Sequence, residues 1–307
     1  MTHETNRSGR SSTLAVLAGL GAALAGIVGW RALQQATADR VLLPTGRALI
    51  TGASSGIGEK FARRLAAMGF DLILVARREE RLRALAGELI KTYGIQADVL
   101  AADLARDESI ALVARAIEDH SDLVLLINNA GFGTRGSFTE VPLERHLDMI
   151  RVHDVASVAL TWSALPRMVE RGRGAIINVS SIAAFFPSGG GSTYTATKAY
   201  LNNFSEALAA ELQGTGVKVQ ALCPGFTYSE FHETSEYEGF DRGHIPAALW
   251  MPAEQVVDES LAALSGDKVI VVPGRRYQAM VAAINSPLRG VIRNTARAIR
   301  RRWSPGR

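Results

Sequence analysis

"TGASSGIG", residues 51–58, joins a short apolar run, "RALIT", to an amphipathic stretch, "IGEKFARRLAAMG". Read as strand, turn and helix, it has a distinct use. A glycine-rich turn lets the backbone approach a pyrophosphate, and the helix N-terminus adds amide donors and the positive end of its dipole. A lone glycine triplet means little, but here the strand and the helix stand on either side. Gly52, Ser54, Ser55, Gly56, Ile57 and Gly58 are therefore candidates for holding a dinucleotide.

Moving outward, the same alternation continues. Apolar, often β-branched runs recur at residues 47–51, 70–76, 97–103, 123–130, 174–181, 217–224 and 269–274, with helical segments between them. Near-continuous apolar runs suit strands buried on both faces. Alternating β and α of this kind implies a parallel sheet with right-handed crossovers. The expected fold class is α/β, a doubly wound parallel sheet of about seven strands in one domain over residues 46–275.

The second run ends in "VARREER". An acidic residue near this point commonly meets the ribose hydroxyls of NAD, and none is present. Arg77 and Arg78 stand there instead, and guanidinium groups suit a 2′-phosphate. NADP(H) is expected, with NAD(H) as the other option. The blander reading is a pair of surface arginines opening a helix beside Glu79 and Glu80.

"YTATKAY", residues 194–200, sets Tyr194 and Lys198 one helical turn apart, thirteen residues after Ser181 of "GAIINVSS". Positions i and i+4 share a helix face, which alone says little. A phenol of ordinary pKa near 10 is a poor base at neutral pH. An adjacent ammonium lowers that pKa, so Lys198 is expected to make Tyr194 a usable general acid/base. Ser181 would hold the substrate oxygen, and Lys198 would also reach the ribose.

These motifs together resemble the short-chain dehydrogenase/reductase family of compact type. The matching elements are "TGASSGIG", Asp103 in "AADL", "NNAG" at 128–131, Ser181, Tyr194 with Lys198, and "PGFTYS" after the sixth run, in order across residues 46–275. The resemblance implies a Rossmann domain, commonly dimeric or tetrameric. It implies that Asp103 sits by the adenine, that Asn128 to Gly131 stabilise the central strand, and that Pro224 and Gly225 flank the nicotinamide, with Leu104, Asn129, Ala130, Gly131 and Thr227 among the cofactor-binding residues. It also implies an asparagine of a proton relay where this chain has His153. That histidine could serve the relay, disable it, or be a tolerated helix residue. A milder departure is Ser229 where a threonine often contacts the carboxamide.

Hydrophobic residues make up 47% of the 307, which excludes wholesale disorder. The single cysteine, Cys223, permits no internal disulfide and reads as a buried small residue. The net charge of +4 is unevenly spread: after Asp267 there are ten basic and no acidic residues. Twenty uncharged residues, 11–30, would span about 30 Å as a helix, the thickness of a bilayer core. An uncleaved single-pass transmembrane helix with linker (1–45) is expected over a cleaved signal ending near "ATA" (36–38), and the need for NADP(H) favours a cytoplasmic catalytic domain. Arginines at helical spacing in residues 276–307 form a basic amphipathic C-terminal tail suited to anionic lipid. Nucleic acid is not expected, because no recognition motif accompanies these arginines.

The expected function is interconversion of a ketone and a secondary alcohol by an NADPH-preferring oxidoreductase. No metal is expected. The segment 226–252, with Phe226, Phe231, Tyr237, Phe240, Leu249, Trp250 and Met251, would lid a pocket for a hydrophobic, lipid-like small molecule. A homodimer or homotetramer is expected. The alternative is a catalytically weak, membrane-bound NADP(H) sensor or scaffold, for which His153 is the sole support.

Overall fold

A computed structural model describes residues 45–286 except 188–189, 234 and 238–240. The expected transmembrane helix at 11–30, Phe240 and the tail beyond Ser286 lie outside the described residues. Among the described residues, no helix is long and apolar enough to cross a membrane.

The strands, numbered in chain order, are β1 (Arg47–Thr51), β2 (Asp71–Ala76), β3 (Ala97–Ala101), β4 (Leu123–Asn128), β5 (Gly174–Val179), β6 (Val217–Leu222), β7 (Thr227–Tyr228), β8 (Met251–Pro252) and β9 (Ile270–Val271); seven of them form one parallel sheet in the order β3-β2-β1-β4-β5-β6-β9, and β7 pairs with β8. The central strands β1 (Arg47–Thr51), β4 (Leu123–Asn128) and β5 (Gly174–Val179) are buried at every position. β2 (Asp71–Ala76) and β6 (Val217–Leu222) are buried at all but one. This is why their sequences read as unbroken apolar runs. β3 (Ala97–Ala101) lies at an edge and exposes Asp98 and Ala101. β9 (Ile270–Val271), at the other edge, is far shorter than the apolar run 269–274. Pro273 has no N–H for the ladder, and Gly274 (φ 82°) turns the chain.

Helices cover both faces. α1 (Gly56–Ala67) buries Phe61, Ala62, Leu65 and Ala66, at i, i+1, i+4 and i+5, and ends before Gly69 in the left-handed region (φ 83°). Each of its large apolar side chains contributes about 1.5–3 kcal/mol by leaving water. α2 (Glu79–Tyr93) and α3 (Asp107–Asp119) follow β2 and β3. α4 (Leu143–Ile150) passes through one π-helical turn, Arg151–Val155, into α5 (Ala156–Glu170). α6 (Ser192–Glu211) follows β5, and α7 (Ala253–Ala263) precedes β9. α8 (Arg275–Ile284) buries Tyr277 and Val281. It carries the folded body past residue 275, where the sequence reading ends it.

At the start of the sheet, the buried Arg47 guanidinium binds carboxylates of Asp98 (2.9 Å) and Asp122 (3.3 Å), with Asp71 at 3.8 Å. At the centre, buried amides cross from strand to strand. Asn128 Nδ2 donates to Asn178 Oδ1 (2.9 Å), and Asn178 Nδ2 to Ser205 Oγ on α6 (2.9 Å). These buried hydrogen bonds favour one alignment of β4, β5 and α6, and leave Asn128 Oδ1 as the unpaired atom of the set. α6 is the helix that carries Tyr194 and Lys198.

Candidate active site

The strand order reverses between β1 and β4, and an open α/β sheet binds its ligand at the carboxyl ends beside such a switch point. A cleft of about 800 Å³ opens there. Gly52 (φ 69°) and Gly56 (φ 58°) hold backbone conformations that side-chain-bearing residues rarely adopt. Gly58 does not reach the cleft. A Cβ there would lie 2.4 Å from Gly52 O and 2.5 Å from Asn129 Nδ2, so its role is the close packing of α1 on the turn.

The floor of the cleft joins β1 to β4. Thr51 Oγ1 accepts from the N–H groups of Asn129 and Ala130 (both 2.9 Å), and Asn129 Nδ2 donates to Thr51 O (2.8 Å). Gly52, Ser54, Ser55, Gly56, Ile57, Arg77, Arg78, Asp103, Leu104, Asn129, Ala130, Gly131, Pro224, Gly225 and Thr227 all line the cleft. A Cβ on Gly225 would overlap the Tyr277 ring at 2.0 Å; the Tyr277 hydroxyl accepts from Phe226 N (3.0 Å) and donates to Leu249 O.

Ser181, Tyr194 and Lys198 share the other end of the cleft. Of the two serines ending "GAIINVSS", Ser180 is spent on structure: its buried hydroxyl donates to Lys198 O (2.7 Å). Ser181 faces the cleft, with Oγ accepting from Ala183 N (3.1 Å). Lys198 Nζ donates to Val179 O (2.9 Å) and sits 5.7 Å from the Tyr194 ring centre. Burial lowers the Lys198 pKa to about 8, partly offset by the Asp154 carboxylate. Asp154, in the π-helical turn, is pushed up to about 7 by burial, against the pull of Lys198. Cys223, up at about 12 through burial, is a neutral thiol.

The Tyr194 phenol corrects the expectation that Lys198 would acidify it. Withdrawal from water pushes its pKa above the ordinary value, and the neighbouring Ser181 hydroxyl only moderates the rise. In this state Tyr194 is a protonated phenol at neutral pH.

His153 lies behind the cleft wall, fully buried, and does not line the cleft. Phe132 N–H donates to Nε2 (3.1 Å), so the ring proton is on Nδ1 and goes to Thr197 Oγ1 (2.8 Å). The Thr197 hydroxyl donates in turn to Tyr194 O (2.9 Å). Burial, reinforced by Lys198, keeps the imidazole neutral. Both ring nitrogens are thus committed to holding the 131–132 loop against the first turns of α6.

Several residues of the site had no sequence signal. Thr197 passes as a small residue within "YTATKAY". Arg145, with its guanidinium 4.3 Å from the Phe132 ring centre and paired with Glu236 (2.5 Å), reads as an ordinary helix cation. Glu230 bonds Arg78 (2.8 Å) and Arg81 (2.7 Å) from 152 and 149 residues away, beyond any local pattern. Ser229 opens the same turn and packs against Gly56.

Residues 47–238 match the family model for short chain dehydrogenases. The chain is 33% identical over 192 residues to the human "Inactive hydroxysteroid dehydrogenase-like protein 1" (62% of this chain, 58% of that protein). It is 33% identical over 228 residues to a 7beta-hydroxysteroid dehydrogenase of Collinsella aerofaciens (74% and 86%). It is 34% identical over 199 residues to a very-long-chain 3-oxoacyl-CoA reductase of Anas platyrhynchos (64% and 64%). It thus spans less than two thirds of the length of the first and third. Among solved structures, a short-chain dehydrogenase from Sphingobium yanoikuyae in complex with NADPH superposes with a TM-score of 0.72 at 35% identity, over 80% of this chain and 95% of that one. With this similarity added to the glycine turn and the Ser181, Tyr194 and Lys198 cluster, the chain belongs to the short-chain dehydrogenase/reductase family.

Proposed function

We propose that the protein is an NADPH-preferring oxidoreductase that interconverts a bulky hydrophobic ketone and its secondary alcohol. The observation that carries this reading is the meeting of Ser181, Tyr194 and Lys198 at one end of the 800 Å³ cleft whose other end carries the glycine turn and Arg78. The residues present suit the cofactor: positive-φ glycines that admit a close backbone approach, Asp103 toward the adenine, and Arg78 with the Ser54 and Ser55 hydroxyls toward a 2′-phosphate. When bound, the nicotinamide supplies or accepts the hydride.

The chain's own residues do the rest. Ser181 orients the carbonyl oxygen. Tyr194, protonated at rest, delivers a proton to that oxygen as it becomes an alcohol, so the resting state is poised for reduction. The Lys198 charge stabilises the phenolate that results. His153 is a positioning residue that acts through Thr197 on the backbone of Tyr194. Phe132, Phe186, Phe231, Tyr237 and Met280 line the substrate side, which supports a bulky apolar substrate, as do relatives described as acting on hydroxysteroids and 3-oxoacyl-CoA.

We extend the reading to the whole protein. Residues 11–30 anchor it in a membrane with the catalytic body in the cytoplasm, and the basic tail lies on anionic lipid. Exposed Val155, Val158 and Trp162 on one stripe near α5, with Tyr200 on α6, support a dimer.

The test is NADPH consumption by the full-length, detergent-solubilised protein against steroid and long-chain ketones. Turnover is expected, and Tyr194→Phe is expected to lower kcat by about 10²–10⁴-fold while leaving NADPH affinity within a few-fold. NADPH binding without turnover on any ketone or alcohol would favour a sensor, in keeping with a relative described as inactive.

A further inference from the structure

Arg78 is shared between two parts of the fold. Its Nε and Nη2 donate to Ser54 Oγ (3.1 and 3.0 Å), and Nη2 also donates to Ser55 Oγ (2.7 Å). Its Nη1 donates to Glu230 Oε2 (2.8 Å). Arg81 Nη1 closes on the same carboxylate, at 2.7 Å from Oε1 and 2.9 Å from Oε2. The two guanidinium groups, Arg78 first, hold Glu230 below the usual carboxylate range. Ser54 and Ser55 accept from Arg78, so each hydroxyl hydrogen remains to donate elsewhere. Two guanidinium groups and two hydroxyls beside a glycine turn make an anion receptor, and Glu230 is the anion it holds.

Glu230 opens the 3₁₀ turn Glu230–His232, in the segment that walls the substrate end of the cleft. The next residue, Phe231, has its ring 6.0 Å from Tyr194 and 5.4 Å from Tyr237. The carboxylate that occupies the receptor is therefore adjacent in sequence to a side chain that packs on the catalytic tyrosine. Arg78, Arg81 and Glu230 are all about half exposed, so a ligand reaches them from solvent.

We propose that Glu230 is an internal competitor for the 2′-phosphate of NADP(H), so that cofactor selection and the release of the substrate segment are one linked event. The proposal rests on the reading of Arg78 as the 2′-phosphate site. A phosphate monoester carries about −1.5 to −2 charges at pH 7 and three acceptor oxygens, and displaces a monoanionic carboxylate from shared arginines. A ribose with free hydroxyls has no charge with which to do so. NADPH then releases Glu230 and frees the segment bearing Phe231, whereas NADH leaves it latched.

The test compares the full-length wild type with Glu230→Gln and Arg78→Ala, using 2′-AMP, 5′-AMP, NADPH and NADH as probes. In Glu230→Gln, affinity for 2′-AMP and NADPH is expected to rise roughly three- to ten-fold, the scale of an exposed charge network, while 5′-AMP and NADH stay within about two-fold. Hydrogen exchange supplies the second readout. In the wild type, NADPH but not NADH should raise exchange across residues 230–233; in Glu230→Gln exchange there should be raised before any nucleotide is added. Unchanged or weaker NADPH binding in Glu230→Gln, or equal gains for NADH, overturns the proposal. If Arg78→Ala still weakens NADPH in that case, the cofactor reading survives alone. If no variant distinguishes 2′-AMP from 5′-AMP, the cofactor reading itself falls, and the proposal with it.

Discussion

His153→Asn separates a proton-relay histidine from a structural one. The imidazole spans two partners, accepting from Phe132 N at 3.1 Å and donating to Thr197 Oγ1 at 2.8 Å. The shorter asparagine reaches one of them. A buried backbone N–H left unpaired costs about 1–3 kcal/mol, and the lost ring volume adds on the order of 1 kcal/mol. The expected loss is therefore about 2–4 kcal/mol, or roughly 4–16 °C in Tm at about 2–4 °C per kcal/mol for a body of this size. Thermal unfolding measures it. Because burial keeps the ring neutral, ¹⁵N spectra of the wild type should show an Nδ1-protonated ring that does not titrate between pH 5.5 and 7.5. The kcat pH profile of the variant should keep its shape. A ring that titrates near its ordinary pKa, with an inflection in kcat that His153→Asn abolishes at little cost in Tm, would refute the structural assignment.

Gly58→Ala drives a methyl group to 2.4 Å from Gly52 O and 2.5 Å from Asn129 Nδ2; overpacking of that kind costs about 1–3 kcal/mol, and calorimetry should show it together with weakened nucleotide binding. Asp154→Asn tests a raised acid. With a folded pKa of about 7, Asp154 holds its proton more tightly folded than unfolded, so its contribution is present at low pH and lost as pH rises from about 4 to about 7. The variant should match the wild type at pH 4 and exceed it at pH 8, by about 1–2 kcal/mol for a carboxyl only partly removed from water. Without that carboxylate, the alkaline limb of kcat set by Lys198 should move below pH 8. Trp162→Glu, at a side chain 72% exposed on the apolar stripe, should shift light scattering from the proposed dimer to monomer and make Tm independent of protein concentration.

The sheet was legible because β1, β2, β4, β5 and β6 are buried on both faces, which writes their positions into the sequence as apolar runs. The exception was β9, where Pro273 and Gly274 end the pairing after two residues. The meeting of Ser181, Tyr194 and Lys198 in one cleft was legible as spacing, since Tyr194 and Lys198 lie one turn apart on a single helix. Electrostatics was not. The direction of the Tyr194 shift depends on how far burial outweighs a lysine whose ammonium is turned to Val179 O, and spacing says nothing of that. The part played by Glu230 was equally hidden, since it arises from a contact between the second strand's end and a loop beyond the sixth.

Arg47 has a mechanical consequence. It ties the first residue of β1 to carboxylates from the neighbouring loops and strands, at the opposite end of the sheet from the nucleotide turn. β1 lies between β2 and β4, paired along its whole length with the first and over residues 47–50 with the second. A pull on the chain ahead of residue 45 therefore loads this strand in shear, where both ladders must slip together. The Arg47 ion pairs and both ladders thus stand between such a pull and the glycine turn beyond Thr51.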